Sequence, residues 1–226
     1  VNLGFNYAHL GLYSLSCNML EQALDLSAKI GARRLNAFAR YNFALTHWRE
    51  GDFNLATRMV AGAHQELAGI GDAFGVAAGM SYQALIQEST GDIDTAFNKF
   101  STARERFKEL GIHAYANDAL AGLIRCLLKQ GNQDSAREHG GQLWNYLSTN
   151  GSGGMEFPML AYQSCAEVFN QRGEPVLARE CIAAGYHTLM EQSERISDPA
   201  WQQSFLENVP EHRKLVAMWN QIAGEE

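Results

Sequence analysis

A short phrase, a glycine followed by a polar residue that can start a helix, returns along the chain at intervals of about forty residues. It reads REGDFNLATRM around Gly51, STGDIDTAFNKF around Gly91, KQGNQDSAREH around Gly131 and QRGEPVLAREC around Gly173. A second series of glycines, at positions 31, 71, 111 and 151, falls about midway between these. The chain is therefore divided about every twenty residues, which is room for one helix and one turn.

The phrase combines a signal that ends one helix with a signal that begins the next. Glycine adopts the left-handed conformation that closes a helix C-terminus, and Asp52, Asp92 and Asn132 follow as N-caps that accept hydrogen bonds from free backbone N–H groups. The four prolines, at positions 158, 175, 199 and 210, are each predicted to begin a helix, where a missing N–H costs little.

Between the glycines, apolar residues recur at helical spacing, and the alternation typical of strands is absent. Two helices per unit of about forty residues indicate a solenoid, in which neighbouring hairpins bury each other's faces. The sequence therefore predicts an all-α fold of stacked antiparallel helix hairpins.

The positions around these glycines resemble the tetratricopeptide repeat (TPR) family, which places small residues where paired helices cross. Around Gly51 and Gly91 the matching positions hold only alanine, at 44, 56 and 63 and at 84, 96 and 103. The resemblance implies a right-handed superhelical α-solenoid. The forty-residue period is longer than the usual 34, and it is similar to the MalT-like repeats in the C-terminal part of large bacterial signal-transduction ATPases. Those proteins carry a LuxR-type DNA-binding domain or a nucleotide cyclase.

The tail from Asp198 to Trp219 is similar to the ends of many of those multidomain proteins. We therefore expect residues 1–197 to form about five TPR-like units, the first one truncated, and residues 198–226 to form C-terminal capping helices. The sequence begins with Val1, and few residues precede Gly11, which favours a piece of a longer protein.

Composition limits the classes of partner and compartment. The formal net charge is −7, and no block of lysine or arginine indicates a nucleic-acid partner. No apolar run is long enough for a membrane span and no signal peptide begins the chain, so we predict a cytoplasmic location without membrane contact. Four cysteines without metal-type spacing favour a reducing compartment. Cys165 and Cys181 are either ordinary buried thiols or a redox pair facing each other across a hairpin.

Motifs that carry chemistry are absent. No phosphate-binding loop, zinc-protease helix or nucleophile elbow occurs, and the glycine-rich residues 150–154 are interpreted as a lengthened connector between repeats. The seven histidines are scattered. We predict no enzymatic activity, no cofactor and no metal.

Binding is the better hypothesis, because a repeat stack presents the first helix of each pair along a concave surface. The resemblance implies that partner-binding side chains project from these helices, with Phe38, Ser81 and Leu85 nearby. Trp48 has an alternative interpretation as a core residue. The predicted site consists of Tyr41, Asn42, Trp48, Tyr82, Asp118, Arg125, Gln163 and Glu167.

Three functions are therefore compared. The first is a sensor or interaction domain of a larger bacterial signalling or transcription-regulatory protein, the second is a free-standing TPR scaffold or peptide-binding protein, and the third, least favoured, is an enzyme with a concave active site. A protein or peptide is the expected partner, with a small-molecule effector and a homo-oligomer left open.

Overall fold

The computed structural model describes residues 1–224, and over that range the chain forms twelve helices and no strand. Their order and bounds are α1 Asn2–His9, α2 Tyr13–Lys29, α3 Arg33–Glu50, α4 Phe53–Gly69, α5 Ala73–Thr90, α6 Ile93–Glu109, α7 His113–Lys129, α8 Gln133–Asn150, α9 Pro158–Gln171, α10 Pro175–Glu194, α11 Pro199–Glu207 and α12 Pro210–Ala223.

Each helix contacts the helices before and after it along the chain, from α1 to α12. The result is a row of antiparallel hairpins with one continuous core along the stack. The prediction of an all-α solenoid is confirmed.

The turns between helices have the chemistry that the sequence indicates. All eight predicted glycine turns, and Gly11 before them, have a positive φ, as does the additional Gly154. Asp52 accepts a hydrogen bond from the backbone N–H of Leu55 at 3.0 Å, and Asp92 and Asn132 cap α6 and α8 in the same way. The prolines each stand at the first turn of a helix, α9 to α12. These predictions are confirmed.

Small residues occupy the crossings of paired helices. The six alanines that match the TPR pattern are fully buried. Gly79 in α5 faces Tyr41 in α3, and a Cβ at this glycine would overlap the phenol oxygen. The backbones therefore approach closely, and a large side chain from the neighbouring helix fills the space that the small residue leaves.

The two ends of the stack meet. In the predicted cap, whose last two residues lie outside the described range, α12 packs on α10, and the ring of Trp219 stacks on Tyr186 with centroids 4.7 Å apart. The same segment also reaches the first hairpin, because Trp201 of α11 lies edge-on to Tyr7 of α1 at 5.7 Å. The hydroxyl of Tyr13 donates to a backbone carbonyl in the turn between α11 and α12 at 3.0 Å.

None of the helices in the described part of the chain combines the length and the apolar character needed to cross a membrane.

The close approach at Gly79 gives a matched test of the packing. Gly62 in α4 is also inside a helix, but an added Cβ there would meet only the end of the Arg40 side chain, at 3.3 Å. Because alanine is the better helix former, Gly62→Ala should be neutral or stabilising by up to about 1 kcal/mol. Gly79→Ala should cost about 1–3 kcal/mol through overpacking. Urea unfolding followed by circular dichroism measures both, and equal effects would contradict the packing described.

Candidate functional site

The inner surface of the stack is formed by the first helices of successive hairpins and is partly filled by the chain itself. Two segments enter it: the connector of residues 151–157 between α8 and α9, and residues 208–212, which form the turn after α11 and the first residues of α12. The expectation of an open concave surface is therefore corrected. The repeat that contains this connector is two residues longer than the other repeats. The additional residues help the chain to turn inward here.

Glu156 in the connector is held by side chains of two different hairpins. The hydroxyl of Tyr82 in α5 donates to its carboxylate, with O–O distances of 2.9 and 3.0 Å. The carboxylate of Asp118 in α7 accepts the backbone N–H of Glu156 at 2.8 Å and that of Phe157 at 3.1 Å. The inner surface thus holds both the backbone and the side chain of a non-helical segment.

The next residue, Phe157, is surrounded by rings and a cation. Its ring lies edge-on to Trp48 with centroids 6.1 Å apart, and the ring of His9 lies 6.5 Å away. The guanidinium of Arg49 lies 5.8 Å from the centre of the Phe157 ring. Trp48 also donates its indole N–H to the hydroxyl of Ser89 at 2.9 Å. These contacts fix the aromatic part of the connector.

The carboxyl groups of Glu156 and Asp118 both have raised pKa values. Burial raises the pKa of Glu156 to about 8, and the negative charge of Asp118 adds to the rise. Burial likewise raises the pKa of Asp118 to about 7, although its two backbone hydrogen bonds oppose the change. The pair therefore carries a proton near neutral pH, since two adjacent buried carboxylates disfavour each other's ionisation.

A buried ion pair joins the N-terminal part of the stack to α12. Arg49 at the end of α3 donates to Glu211 through Nη2 at 2.6 Å and Nε at 3.2 Å, and Nη1 donates to the carbonyl of Ala8 at 3.1 Å. Both charged side chains are almost fully enclosed, with 1% and 3% of their surfaces exposed. Burial is the largest single influence and disfavours the Glu211 carboxylate, yet the charge of Arg49, together with smaller contributions that include hydrogen bonds, lowers the pKa of Glu211.

Two histidines border this ion pair and remain neutral. Burial lowers the pKa of His212 to about 4, and its Nδ1 lies 2.8 Å from the carbonyl oxygen of Phe205. Burial, followed by the charge of Arg49, lowers the pKa of His9 well below the usual value. Neutral imidazoles avoid a further buried positive charge beside Arg49.

One part of the inner surface remains open. We name it the aromatic pocket: it has a volume of about 310 Å³ and lies among α1, α3, α5 and α7. The rings of Phe38 and Phe74 stack at 6.2 Å, and Tyr115 meets Phe74 edge-on at 5.2 Å. The lining consists of Val1, Asn2, Phe5, Arg34, Leu35, Phe38, Asn42, Phe74, Tyr82 and Tyr115.

The aromatic part of the predicted site divides between pocket and core. Asn42 and Tyr82 line the aromatic pocket, whereas Tyr41 is fully buried and donates to the carbonyl of Gly75 at 3.0 Å. Tyr82 is only 6% exposed. Tyr41 and Tyr82 were expected on an open surface; instead close helix packing and the connector cover them. Trp48 is half-buried against Phe157.

The polar part of the predicted site is occupied by contacts within the chain. Arg125 donates to Glu88 at 2.7 to 3.1 Å and to Ser164 at 3.3 Å. The amide of Gln163 donates to the carbonyl of Glu211. Glu167 is exposed and lines a separate groove beside α10 and α12. The structure therefore gathers Asn42, Tyr82, Asp118 and Trp48 around the connector and the pocket, and it leaves Glu167 elsewhere.

Several residues of this surface were missed in the sequence. The TPR pattern places later positions of each helix on the concave surface, so it did not select three residues of the aromatic pocket, Phe5, Phe74 and Tyr115. The lengthened period before Pro158 was a signal for the connector, but it did not show that Glu156 turns inward.

Cys165 and Cys181 do face each other across the α9–α10 hairpin, as free and fully buried thiols. Burial and the neighbouring Cys181 raise the pKa of Cys165 well above its usual value. A high pKa opposes thiolate formation, so the contact supports the interpretation as ordinary buried thiols.

His47 is grouped with two other side chains of kinds that can bind metal ions. His47 lies three residues before Glu50 in α3, and both side chains lie near Cys17 of α2, with one donor atom from each within 4.8 Å of the others. The prediction of no metal site took no account of this grouping, because the cysteine comes from a different helix.

Comparison with solved structures places this architecture among known folds. A Rap protein complexed with Competence and Sporulation Factor superposes with a TM-score of 0.67 at 20% identity, covering 97% of this chain and 61% of that chain. This chain has a TPR-like helical repeat fold. No family model matches it, and no curated protein does.

Two further structures agree with that fold. A putative kinesin light chain with nearly identical TPR-like repeats from Podosopora anserina gives a TM-score of 0.58 at 14% identity, covering 86% of this chain and 95% of that one. BtubC (BKLC) from P. vanneervenii gives 0.61 at 13% identity, covering 92% and 85%.

The buried ion pair gives a test of how the ends are joined. Arg49→Gln leaves the Glu211 carboxylate enclosed without its partner, so it should cost about 3–5 kcal/mol of unfolding free energy. Arg137→Gln is the matched control, because Arg137 pairs with Glu174 with about a third of each side chain exposed and should cost at most about 1 kcal/mol. Denaturant unfolding measures both. Equal losses would show that the enclosed pair does not hold the ends together.

The carboxyl pair gives a pH test. Glu156 has a pKa of about 8 in the folded chain against 4.5 for a free side chain. The folded state therefore binds the proton more tightly, and this contribution to stability, complete below about pH 4.5, is lost as the pH rises towards 8. Glu156→Gln should remove this loss, so the variant should gain stability relative to the unchanged protein between pH 5 and pH 8.

The control for this experiment is Glu191→Gln, at an exposed position of α10, which should follow the pH profile of the unchanged protein. Unfolding free energies at several pH values give the comparison. Parallel profiles for the Glu156 variant and the unchanged protein would contradict a protonated, buried carboxyl group at this position.

Proposed function

We propose that this chain is a non-enzymatic repeat domain that binds a protein or peptide segment, and that the aromatic pocket receives a large apolar side chain of that segment. The observation that carries the proposal is that the inner surface already holds a non-helical segment of the chain. Glu156 and Phe157 are bound through Tyr82, Asp118 and Trp48, which come from three successive hairpins.

The aromatic pocket is larger than the two other spaces along the inner surface, the nearer in size being a space of about 210 Å³ beside Glu156 and Glu211. Its volume of about 310 Å³ lies at the lower end of the range for sites that enclose small molecules or single side chains. By contrast, the space beside Ser81 and Leu160 measures about 10 Å³, enough for one water molecule. Large rings held by the fold contribute contact area at a low entropic cost.

We further propose that the chain serves as the sensor or interaction part of a larger bacterial signalling or transcription-regulatory protein in the cytoplasm. The similarity of the tail to MalT-like proteins supports this context. The structure of a Rap protein with Competence and Sporulation Factor supports the role in binding, because it shows this fold complexed with a factor. A free-standing scaffold is the alternative, and an upstream ATPase in the same reading frame would distinguish the two.

A small-molecule effector is the second candidate ligand. The pocket places the guanidinium of Arg34 over the Phe38 ring at 4.8 Å, so a planar molecule with a polar edge would find both kinds of contact.

The binding test uses a leucine at the edge of the pocket. Leu35 lines the aromatic pocket and is 50% exposed, whereas Leu26 on α2 is 61% exposed and lies outside it. Random peptides displayed on phage would be selected with the unchanged protein. Leu35→Glu should weaken the selected peptides at least about tenfold, or about 1.4 kcal/mol, because a carboxylate replaces apolar contact. Leu26→Glu should leave binding unchanged.

The selected peptides should share an aromatic or large aliphatic residue. Thermal melts of both variants check that the fold is intact. Failure to enrich any peptide, or equal binding by the Leu35 and Leu26 variants, would contradict peptide binding at this pocket. In that case, saturation of the pocket by a small aromatic acid in a fragment screen would favour the second candidate.

A further inference from the structure

Three side chains of the kinds that bind transition metals come together between α2 and α3, apart from the aromatic pocket. The Sγ atom of Cys17 lies 3.9 Å from Nε2 of His47, and Nδ1 of His47 lies 3.3 Å from Oε2 of Glu50. One donor atom from each of the three lies within 4.8 Å of the others.

The two close contacts use different nitrogens of the His47 ring, and a single ion binds only one of them, so the relevant separation is the 4.8 Å within which one donor atom from each residue lies. Zinc bonds of about 2.0–2.3 Å in a tetrahedral arrangement place ligand atoms roughly 3.3–3.6 Å apart. Glu50 is the last residue of α3 and 40% of its side chain is exposed, so it can rotate without disturbing the core. Small side-chain movements would therefore bring all three donors to one ion.

The surroundings favour a cation and hold the imidazole in place. Glu21 and Glu50 both bring negative charge towards Cys17. The ring of Phe43 lies against His47 with centroids 4.6 Å apart. An apolar neighbour of this kind limits the rotation of the ligand and the access of water to one side of the site.

The repeat does not require these residue types. Forty residues further along, the corresponding positions hold Thr57, Gln87 and Thr90, and the hairpins pack in the same way. The cysteine, the histidine and the glutamate are therefore not explained by the helix packing that the repeats share.

The order thiol, imidazole, carboxylate also occurs in cysteine hydrolases, but the backbone argues against that chemistry. Cys17 lies inside α2, where the N–H groups are used by the helix and cannot form an oxyanion hole.

We propose that Cys17, His47 and Glu50 bind a zinc ion, with a water molecule at the fourth position. Thiolate, imidazole and carboxylate are all zinc ligands, and three protein ligands leave one coordination position open. The sulfur–zinc bond replaces the S–H bond, and the thiol proton passes to water. The ion joins α2 to α3 and so fixes the contact between the truncated first unit and the hairpin that follows it.

Cobalt(II) titration of the tag-free, reduced protein tests this directly, because a cobalt–thiolate bond gives a near-ultraviolet charge-transfer band and tetrahedral cobalt gives visible bands. We expect both bands at one equivalent and their loss when Zn²⁺ is added. Cys17→Ser should abolish the charge-transfer band. His47→Gln and Glu50→Gln each remove a proposed ligand and should weaken cobalt binding by more than about tenfold. A loss of about tenfold is the smallest expected from changing a residue that only supports a ligand.

His113→Gln is the matched control, because His113 is exposed at the start of α7 and should leave the titration unchanged. If Cys17→Ser fails to fold, the exposed Glu50→Gln and the His47→Gln variants decide the result. The proposal is overturned if the unchanged protein gives no charge-transfer band at saturating cobalt, if the band persists in Cys17→Ser, or if the His47 and Glu50 variants bind as well as the His113 control.

Discussion

Paired helices in this molecule meet where the side chains are small, and the shape of the stack depends on that close approach. Ala96 and Ala103 of α6 have no exposed surface, and Gly122 of α7 faces the ring of Phe100 so closely that a Cβ would lie 2.5 Å from it. Without a bulky residue at the crossing, a large ring from the next helix enters the gap. This interlocking sets the angle between successive hairpins and hence the curvature that brings α1 near α12.

The curvature has a direct effect on the inner surface. A wide solenoid exposes its first helices to solvent, but here the connector at Glu156 and the start of α12 at Glu211 occupy much of the inside. Polar side chains that would otherwise face water form hydrogen bonds with these segments. The remaining opening is framed by aromatic rings, so its chemistry differs from that of the filled region beside it.

Local features of the sequence were sufficient to predict the helices and turns, but not which distant parts of the chain contact each other. The glycine turns, the proline starts and the caps at Asp52 and Asn132 each depend on a few neighbouring residues, and these local signals predicted them correctly. The pairing of Arg49 with Glu211 joins residues 162 positions apart. No periodic pattern encodes that separation, because it depends on the summed angles of every hairpin between them.

The same reasoning explains the mixed outcome for the site. The repeat register placed Asn42 and Tyr82 on the first helices of their hairpins, and both side chains line the aromatic pocket. It could not show that α1 contributes Phe5 or that a connector covers Tyr82, since both depend on how tightly the stack curls. The grouping of Cys17 with His47 was missed for a related reason: the two side chains are thirty residues apart and meet only when α2 lies against α3.

Joining the ends also limits how such a chain can change in length. An open solenoid tolerates the gain or loss of whole repeats, because each hairpin contacts only its neighbours. Here one additional hairpin would separate α12 from α3 by roughly the 8–10 Å between packed helices. Arg49 and Glu211 would then each lie in an apolar interior without an opposite charge, which is far more costly than a lost surface contact. Duplication of a forty-residue unit should therefore be selected against in this molecule, although the repeated sequence makes such duplication easy.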